Sequence, residues 1–158
     1  MNPLISIVIP SYNASKYIHR CLYSILDQID EINEKIEVVV VNDGSTDDTE
    51  AIVQTIIKSN IKHNVNLISI KNGGLANARN VGIDMAKGQY FINLDADDFF
   101  QIGILEALIA EIEHSKPDCC FYGFQDFEED SGNVCGKYEE RFNYINKALV
   151  QDFTNNLC

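Results

Sequence analysis

Three short runs of mostly β-branched and aliphatic residues constrain the architecture that this chain can adopt. They lie at residues 4–9, 36–41 and 65–70, and a segment with helical apolar spacing follows each of them. Near-continuous apolar runs are typical of strands buried on both faces of a parallel sheet. Strands that alternate with helices predict such a sheet, covered by helices and joined by right-handed crossovers. The predicted fold class is therefore α/β, with a three-layer, Rossmann-like and mostly parallel α/β/α sheet.

The alternation of strands and helices continues into the second half of the chain. The predicted helices cover residues 14–28, 75–86 and 103–114, with one more after residue 47. A fourth strand follows Gly88, and a fifth strand is predicted over residues 118–124. Residues 125–138 have the acidic, turn-rich composition of a hairpin, and residues 144–153 have the pattern of a short amphipathic helix.

Three carboxylates crowd the end of the fourth strand. Asp95, Asp97 and Asp98 follow a short apolar run directly. Like charges this close raise one another's pKa unless a cation neutralises them, and Mg²⁺ and Mn²⁺ bind carboxylate oxygens that they share with substrate phosphates. The alternative is a helix N-cap cluster, because acids at a helix start are favoured by capping and by the helix dipole. The cluster alone does not decide between a metal site and a cap.

The unusual polar segments of this chain all follow predicted strands. They are residues 10–13, 42–46, 71–74 and 95–98. Parallel α/β sheets bind ligands outside the carboxyl ends of their strands. The four segments should therefore meet on one rim of the sheet and form a single site.

Individual residues of this rim each have two interpretations. Asp43 can accept a hydrogen bond from a nucleobase or a ribose, or belong to a plain turn and helix cap. Arg79 can neutralise a diphosphate, or pair with a rim acid as a structural ion pair. Tyr12 can stack on a base, or be a half-buried loop aromatic. Gly74 and its neighbour Gly73 would let a ligand approach the backbone. The segments match neither a P-loop nor a dinucleotide-binding glycine motif.

The net charge narrows the classes of partner. The net charge of −12 makes nucleic acid, or an anionic membrane surface, an unlikely general partner. An anionic ligand would need a local cation or a metal.

The cysteines are odd in number, five, without a CxxC pair, which is typical of reduced cytosolic thiols. The first residues lack the basic start and long apolar stretch of a signal peptide, so a cytoplasmic protein is expected.

Four ordered motifs resemble the nucleotide-sugar half of family 2 glycosyltransferases, which have the A-type fold. The motifs are Ile-Pro-Ser-Tyr-Asn (9–13), Val-Val-Asn-Asp-Gly-Ser-Thr-Asp (40–47), Asn-Gly-Gly-Leu-Ala-Asn-Ala-Arg-Asn-Val-Gly (72–82) and Gly-Gln-Tyr-Phe-Ile-Asn-Leu-Asp-Ala-Asp-Asp (88–98). Each motif alone is weak, but the four in this order are specific. The resemblance covers roughly residues 4–125.

The resemblance implies a set of donor-binding residues. They are Pro10, Tyr12, Asn13, Asp43, Gly74, Arg79, Asp95, Ala96 and Asp97. Within this set, Pro10 and Tyr12 would line the nucleobase pocket and Asp43 would hydrogen-bond the base. Arg79 would approach the diphosphate. The Asp-Ala-Asp segment at 95–97 corresponds to the DxD motif of the family.

The resemblance also implies a metal and a reaction. Asp97 would bind Mn²⁺ or Mg²⁺ directly, Asp95 would contact ribose or a metal-bound water, and Asp98 would be the acid often found beside the motif. Family members invert the anomeric centre, and their general base lies well beyond the DxD motif, here expected after Cys158. Residues 1–125 would then be the donor-binding domain and residues 126–158 an incomplete start of the acceptor side, in a chain truncated at its C-terminus.

The resemblance predicts a nucleotide-sugar donor, with UDP favoured over dTDP and GDP, and a glycan or glycolipid acceptor in polysaccharide or cell-envelope synthesis. Peripheral contact with the inner face of a membrane and self-association of the incomplete domain are further predictions. One alternative is a non-catalytic nucleotide-binding module. Another is a phosphatase of the haloacid dehalogenase type, although those place the nucleophilic Asp after the first strand rather than the fourth.

Overall fold

Alternating strands and helices build most of the protein. The structure, a computed structural model, describes residues 2–30, 32–120, 125–127 and 134–137. The strands are β1 (Ile5–Ser11), β2 (Ile36–Asp43), β3 (Val65–Ile70), β4 (Tyr90–Asn93), β5 (Gln125–Phe127) and β6 (Val134–Lys137). The α-helices are α1 (Ile18–Leu26), α2 (Thr49–Ser59), α3 (Leu75–Met85) and α4 (Ile104–Ser115), and a short 3-10 helix (Asn33–Lys35) precedes β2.

The first four strands form one parallel sheet in the order β3-β2-β1-β4. The central strand β1 pairs with β2 from Ile5 opposite Ile36, and with β4 from Ile5 opposite Tyr90. Every residue of β1 and β2 is buried, as expected for apolar runs covered on both faces. The predicted parallel sheet is confirmed.

Helices cover this sheet in two layers. The chain steps in one direction from β1 to β3 and then crosses back to β4, so right-handed crossovers put α1 and α2 on one face and α3 on the other. Accordingly α1 packs against α2, and α3 packs on β1 and β2. Helix α3 approaches closely because Gly82 has no side chain, and a Cβ there would lie 2.3 Å from Cγ1 of Val8. The three-layer architecture is as predicted.

Two local predictions differ from the structure. Helix α1 begins at Ile18 rather than near residue 14, because the preceding residues form a turn in which the N–H groups of Tyr17 and Ile18 both donate to the Ala14 carbonyl. Residues 118–120 of the predicted fifth strand are not in a strand, and residues 121–124 lie outside the described part of the chain. Apolar composition alone did not distinguish this segment from a loop.

The chain divides into two compact units, Met1–Ala110 and Glu111–Cys158. The first holds the sheet and α1 to α3. In the second, β5 and β6 pair antiparallel, which confirms the predicted hairpin. The helix predicted over residues 144–153 falls outside the described residues, and the domain boundary at residue 125 stays a prediction. Within the described residues no helix has the length and apolar character that a membrane span requires.

Candidate functional site

The loops after β1 and β2 are joined by side-chain hydrogen bonds. Asn13, in the left-handed region with φ of 50°, lies at the centre of the junction. Its backbone N–H donates to Ser45 Oγ at 3.0 Å, and its Oδ1 accepts from the N–H of Thr46 at 2.8 Å. Asn tolerates this backbone conformation better than most residues. Two of the four predicted rim segments therefore meet directly.

Asp47 strengthens the same junction. Its carboxylate accepts hydrogen bonds from the N–H of Ser15 at 3.1 Å and from the N–H of Thr49, the first residue of α2, at 3.0 Å. Desolvation raises the pKa of the Asp47 carboxyl, but the hydrogen bonds from Thr49 and Ser15 outweigh it and hold that pKa well below its ordinary range. Asp47 therefore fixes the start of α2 and the loop before α1 together.

Asp43 joins the second rim segment to the third. It is 2% exposed, and its two carboxylate oxygens accept from the N–H groups of Gly73 and Gly74, each at 2.8 Å. A Cβ on Gly44 would lie 2.8 Å from the backbone nitrogen of Asn72, so the two loops are in close contact. Asp43 holds the loop that leads into α3. Its predicted contact with a nucleobase stays a prediction.

Arg79 and Asp95 connect α3 to the acidic segment after β4. Nη2 of Arg79 lies 2.5 Å from Oδ1 of Asp95, and the two side chains are 36% and 41% exposed. Nε of Arg79 is buried and has no hydrogen-bond partner among the described residues. The ion pair considered as the alternative for Arg79 is therefore present. The guanidinium nevertheless keeps an unused donor at the rim.

The acidic segment is a tight turn and not a helix cap. The N–H of Asp98 donates to the carbonyl of Asp95 at 3.0 Å. Helix α4 begins at Ile104, too far along the chain for these acids to cap it, because capping and dipole effects fall off within the first turn. The cap interpretation is wrong. Ala96 is buried, whereas Asp97 is exposed.

The donor set at this turn fits a hard divalent cation. Within the described part of the chain, no three His, Cys, Asp or Glu side chains are grouped as a metal site. Mg²⁺ commonly takes only one or two protein carboxylates and completes its coordination with water and substrate phosphates. Asp97, together with the second oxygen of Asp95, provides such a partial set.

The predicted nucleobase residues differ in exposure. Tyr12 is 52% exposed beside the end of β1, so its ring is accessible for stacking. Pro10 lies within β1, buried and opposite Val41 in the sheet. Gly74, with φ of 86°, precedes α3, and a Cβ on it would meet nothing within 4 Å. Open space at Gly74 is compatible with close approach of a ligand to the backbone.

Sequence reasoning missed the side chains of α1 that face the acidic segment. Arg20 donates to the carbonyl of Asp97, and Cys21 Sγ lies 3.8 Å from the carbonyl of Asp95. Burial, with the nearby Asp98 and Asp97 carboxylates, raises the pKa of the Cys21 thiol to about 12. The sequence did show polar residues four apart on this helix, but that spacing did not indicate which segment of the chain they bind.

Known glycosyltransferases resemble this chain in sequence and fold. Glycosyltransferase GlyG of Streptococcus pneumoniae serotype 4 is 34% identical over 155 residues, which are 98% of this chain and 50% of GlyG. The S. aureus TarS fragment 1–349 in complex with UDP has a TM-score of 0.66 at 34% identity, over 73% of this chain and 33% of that one. Mannosyltransferase PcManGT from Pyrobaculum calidifontis, in complex with GDP-Man and Mn²⁺, has a TM-score of 0.66 at 26% identity, over 74% of this chain and 34% of that one.

The sequence similarity to GlyG extends over nearly the whole chain. The chain spans half the length of GlyG and about a third of the two solved chains. The structural neighbours have the glycosyltransferase A-type fold, which confirms the predicted fold class. The family model described as Glycosyl transferase family 2 matches residues 6–156. The chain therefore belongs to glycosyl transferase family 2.

Proposed function

We propose that this chain binds a nucleotide-sugar donor together with a divalent cation, as the donor half of an inverting glycosyltransferase. The observation that carries the proposal is the arrangement after β4, where Arg79 contacts Asp95 and the carboxylate of Asp97 is exposed in the same turn. A cation and two acids at one rim match the alternating charges of a metal-bound diphosphate. Strand order also reverses beside β1 and β4, which is where α/β sheets bind ligands.

The nucleotide would occupy the rim between the exposed ring of Tyr12 and the loop at Gly74. Tyr12 offers a flat face for the base, with Pro10 behind it in β1 and Asn13 holding the loop. Asp43 would then act on the donor in part through Gly74, whose N–H it binds. UDP is the favoured nucleotide, and the TarS complex with UDP supports this choice.

Asp97 and Asp95 would hold Mn²⁺ or Mg²⁺, which when bound neutralises charge on the leaving diphosphate. The PcManGT complex with Mn²⁺ supports a divalent cation at this kind of site. Arg79 would move from Asp95 to a phosphate oxygen, because its guanidinium binds phosphate as well as carboxylate. Charge that develops on the leaving group would then be stabilised by the cation and by the guanidinium of Arg79.

Sugar transfer requires an acceptor hydroxyl and a general base within hydrogen-bond reach of it. Attack from the face opposite the leaving nucleotide inverts the anomeric carbon. We assign no base within this chain and propose residues 1–125 as the donor-binding domain, with residues 126–158 beginning the acceptor side. The acceptor is proposed to be a glycan or glycolipid, on the cytoplasmic side of a membrane.

A donor-binding module without transfer is the second candidate. Metal-dependent binding of UDP without hydrolysis or transfer of the sugar would favour it. The phosphatase alternative has no support, since β1 ends at Ser11 and residues 12–14, which follow it, contain no acid.

Calorimetric titration of UDP into the chain, with and without Mn²⁺, tests the proposal. We expect metal-dependent binding that is weakened at least about tenfold by Asp97→Ala, since a charged ligand to the metal is lost. Asp84→Ala, which removes an exposed acid from α3, is the matched control and should bind as the parent does. Equal affinity of the Asp97 variant and the parent, or no binding of UDP with Mn²⁺, would overturn the proposal.

A further inference from the structure

We propose that α1 and the turn after it act as a positioning element for the acidic loop, defined here as residues 95–103. Three side chains spaced four residues apart, Arg20, Ser24 and Gln28, bind successive backbone groups of that loop. The inference rests on the proposed function, because its consequence is tighter binding of a metal-bound nucleoside diphosphate.

Each of the three side chains bonds a different part of the loop backbone. Arg20 Nη2 donates to the carbonyl of Asp97 at 3.1 Å. Ser24 Oγ accepts from the N–H of Phe100 at 3.0 Å, and Gln28 Oε1 accepts from the N–H of Gly103 at 2.7 Å. Residues 94–103 contain no helix or strand, so their backbone groups need partners from outside secondary structure.

Helical geometry explains why one helix can reach so much of the loop. Residues four apart lie on the same helix face, and eight residues rise about 12 Å along the axis. Arg20 and Ser24 therefore form one stripe that Gln28 extends past the last turn. The loop runs beside this stripe from Asp97 to Gly103.

Two of these side chains are themselves held by the helix. Ser24 Oγ donates to the carbonyl of Cys21 at 2.6 Å, and Gln28 Nε2 donates to the carbonyl of Ser24. A side chain with both its donor and its acceptor engaged has a defined rotamer. The bonds to Phe100 and Gly103 are thus made by groups already in place, as a precise site requires.

Arg20 also acts on the loop through an aromatic ring. Its guanidinium carbon lies 4.8 Å from the centre of the Phe99 ring, within cation–π range. The guanidinium is thereby placed next to a turn that carries Asp95, Asp97 and Asp98, and its hydrogen bond fixes the carbonyl of Asp97 itself. Repulsion among these acids favours an open turn, and the α1 contacts oppose it.

The consequence for binding is preorganisation. Mg²⁺ and its substitutes demand closely defined ligand positions, and a loop that must be ordered during binding loses affinity for that reason. Weakening one α1 contact should therefore lower the affinity for metal-bound UDP. It should leave recognition of the base unchanged, because Tyr12 follows β1 and Asp43 is the last residue of β2, outside the acidic loop.

The test compares Ser24→Ala with Ser24→Thr in the 158-residue chain. Ser24→Ala removes the acceptor for the Phe100 N–H, and we expect the affinity for UDP with Mn²⁺ to fall about fivefold, the equivalent of one hydrogen bond. Ser24→Thr keeps the hydroxyl and should restore most of that affinity. Ser59→Ala, which removes an exposed hydroxyl from α2, should have no effect.

Arg20→Gln is the second variant, with Lys58→Gln on the exposed part of α2 as its charge-matched control. Uridine without metal is titrated into every variant, since it probes the base pocket alone. We expect unchanged uridine affinity throughout. Amide hydrogen exchange at Phe100 and Gly103 should also become faster in Ser24→Ala and not in Ser59→Ala.

The outcomes separate the two proposals. If the parent chain binds UDP with Mn²⁺ and both α1 variants bind it equally well, α1 has no positioning role and the donor site stands. Equal losses for uridine and for metal-bound UDP would indicate general destabilisation and would also overturn the positioning role. If the parent chain does not bind UDP with Mn²⁺, the proposed donor site is wrong, and the positioning role of α1 that rests on it is wrong as well.

Discussion

Arg79 on α3 donates a hydrogen bond from Nη2 to Oδ1 of Asp95, 2.5 Å away, across the rim of the sheet. The contact links the helix after β3 to the turn after β4. A bound diphosphate would offer the same guanidinium a second kind of partner. The pair is therefore expected to contribute more to ligand binding than to stability.

Replacing Arg79 tests that expectation. The side chains of the pair are 36% and 41% exposed, and exposed ion pairs contribute at most about 1 kcal/mol to stability. Arg79→Gln should therefore change the free energy of unfolding by less than about 1 kcal/mol while weakening UDP binding about tenfold. Urea unfolding and calorimetry measure the two quantities, with Lys58→Gln as the control. A large loss of stability with full UDP affinity would show that the pair is structural only.

Glu37 is predicted to be important for stability and not for binding. It is 1% exposed and lies near the amino end of β2, where its carboxylate accepts from Ser6 Oγ at 2.7 Å and from the N–H of Lys87 at 2.9 Å. Glu37→Ala leaves these donors without a partner and should lower the free energy of unfolding by about 3 kcal/mol. Glu37→Gln should cost less because an acceptor oxygen remains.

Urea denaturation measures the effect of both Glu37 variants, and Glu34→Ala at an exposed position is the control. UDP affinity under folding conditions should not change, because the site lies at the opposite ends of the strands. A Glu37→Ala variant as stable as the parent would contradict the structural role.

Asp47 is predicted to make stability depend on pH. Desolvation raises the folded-state pKa of Asp47, but the hydrogen bonds from Thr49 and Ser15 outweigh it. That pKa therefore lies below the ordinary value. A depressed carboxyl pKa contributes stability above the unfolded-state value of about 3.9, and this contribution is lost as pH falls through the folded-state pKa. Asp47→Asn should lower the melting temperature at pH 7, and the difference from the parent should narrow below about pH 3.9.

Thermal unfolding followed by circular dichroism at several pH values measures this difference. Asp48→Asn is the neighbouring control, because the Asp48 side chain makes no capping hydrogen bond to α2. A difference between Asp47→Asn and the parent that does not change with pH would show that the carboxylate charge is not responsible.

Gly82 should be intolerant of even a methyl group. Alanine in a helix is normally more stable than glycine by about 1 kcal/mol, but a Cβ here would lie 2.3 Å from Cγ1 of Val8. Gly82→Ala should therefore destabilise the protein by about 1–3 kcal/mol through overpacking. In a Val8→Ala background the same change should be neutral or stabilising. Equal losses in both backgrounds would exclude the Val8 contact as the cause.

The local sequence pattern was sufficient to predict the parallel sheet and the helices that cover it. The predicted strand over residues 65–70 is β3 as observed, and the parallel arrangement followed from strands alternating with helices. Because parallel strands end on the same edge, the polar segments after them had to share a rim. The predicted fifth strand had no such support, and residues 118–120 are not in a strand.

Residue partners were decided only by the tertiary structure. The amino-acid sequence by itself determined the order of the first four strands and of their helices, the shared rim and the family motifs, since these depend on periodicity and short spacings. It left open whether Arg79 pairs with an acid, and it did not show that Asp43 binds the N–H groups of Gly73 and Gly74. Nor did it indicate that Ser24 of α1 binds the acidic loop 76 residues away. Such contacts join residues distant in sequence, and only the crossovers and the packing of helices on the sheet bring them within hydrogen-bond distance.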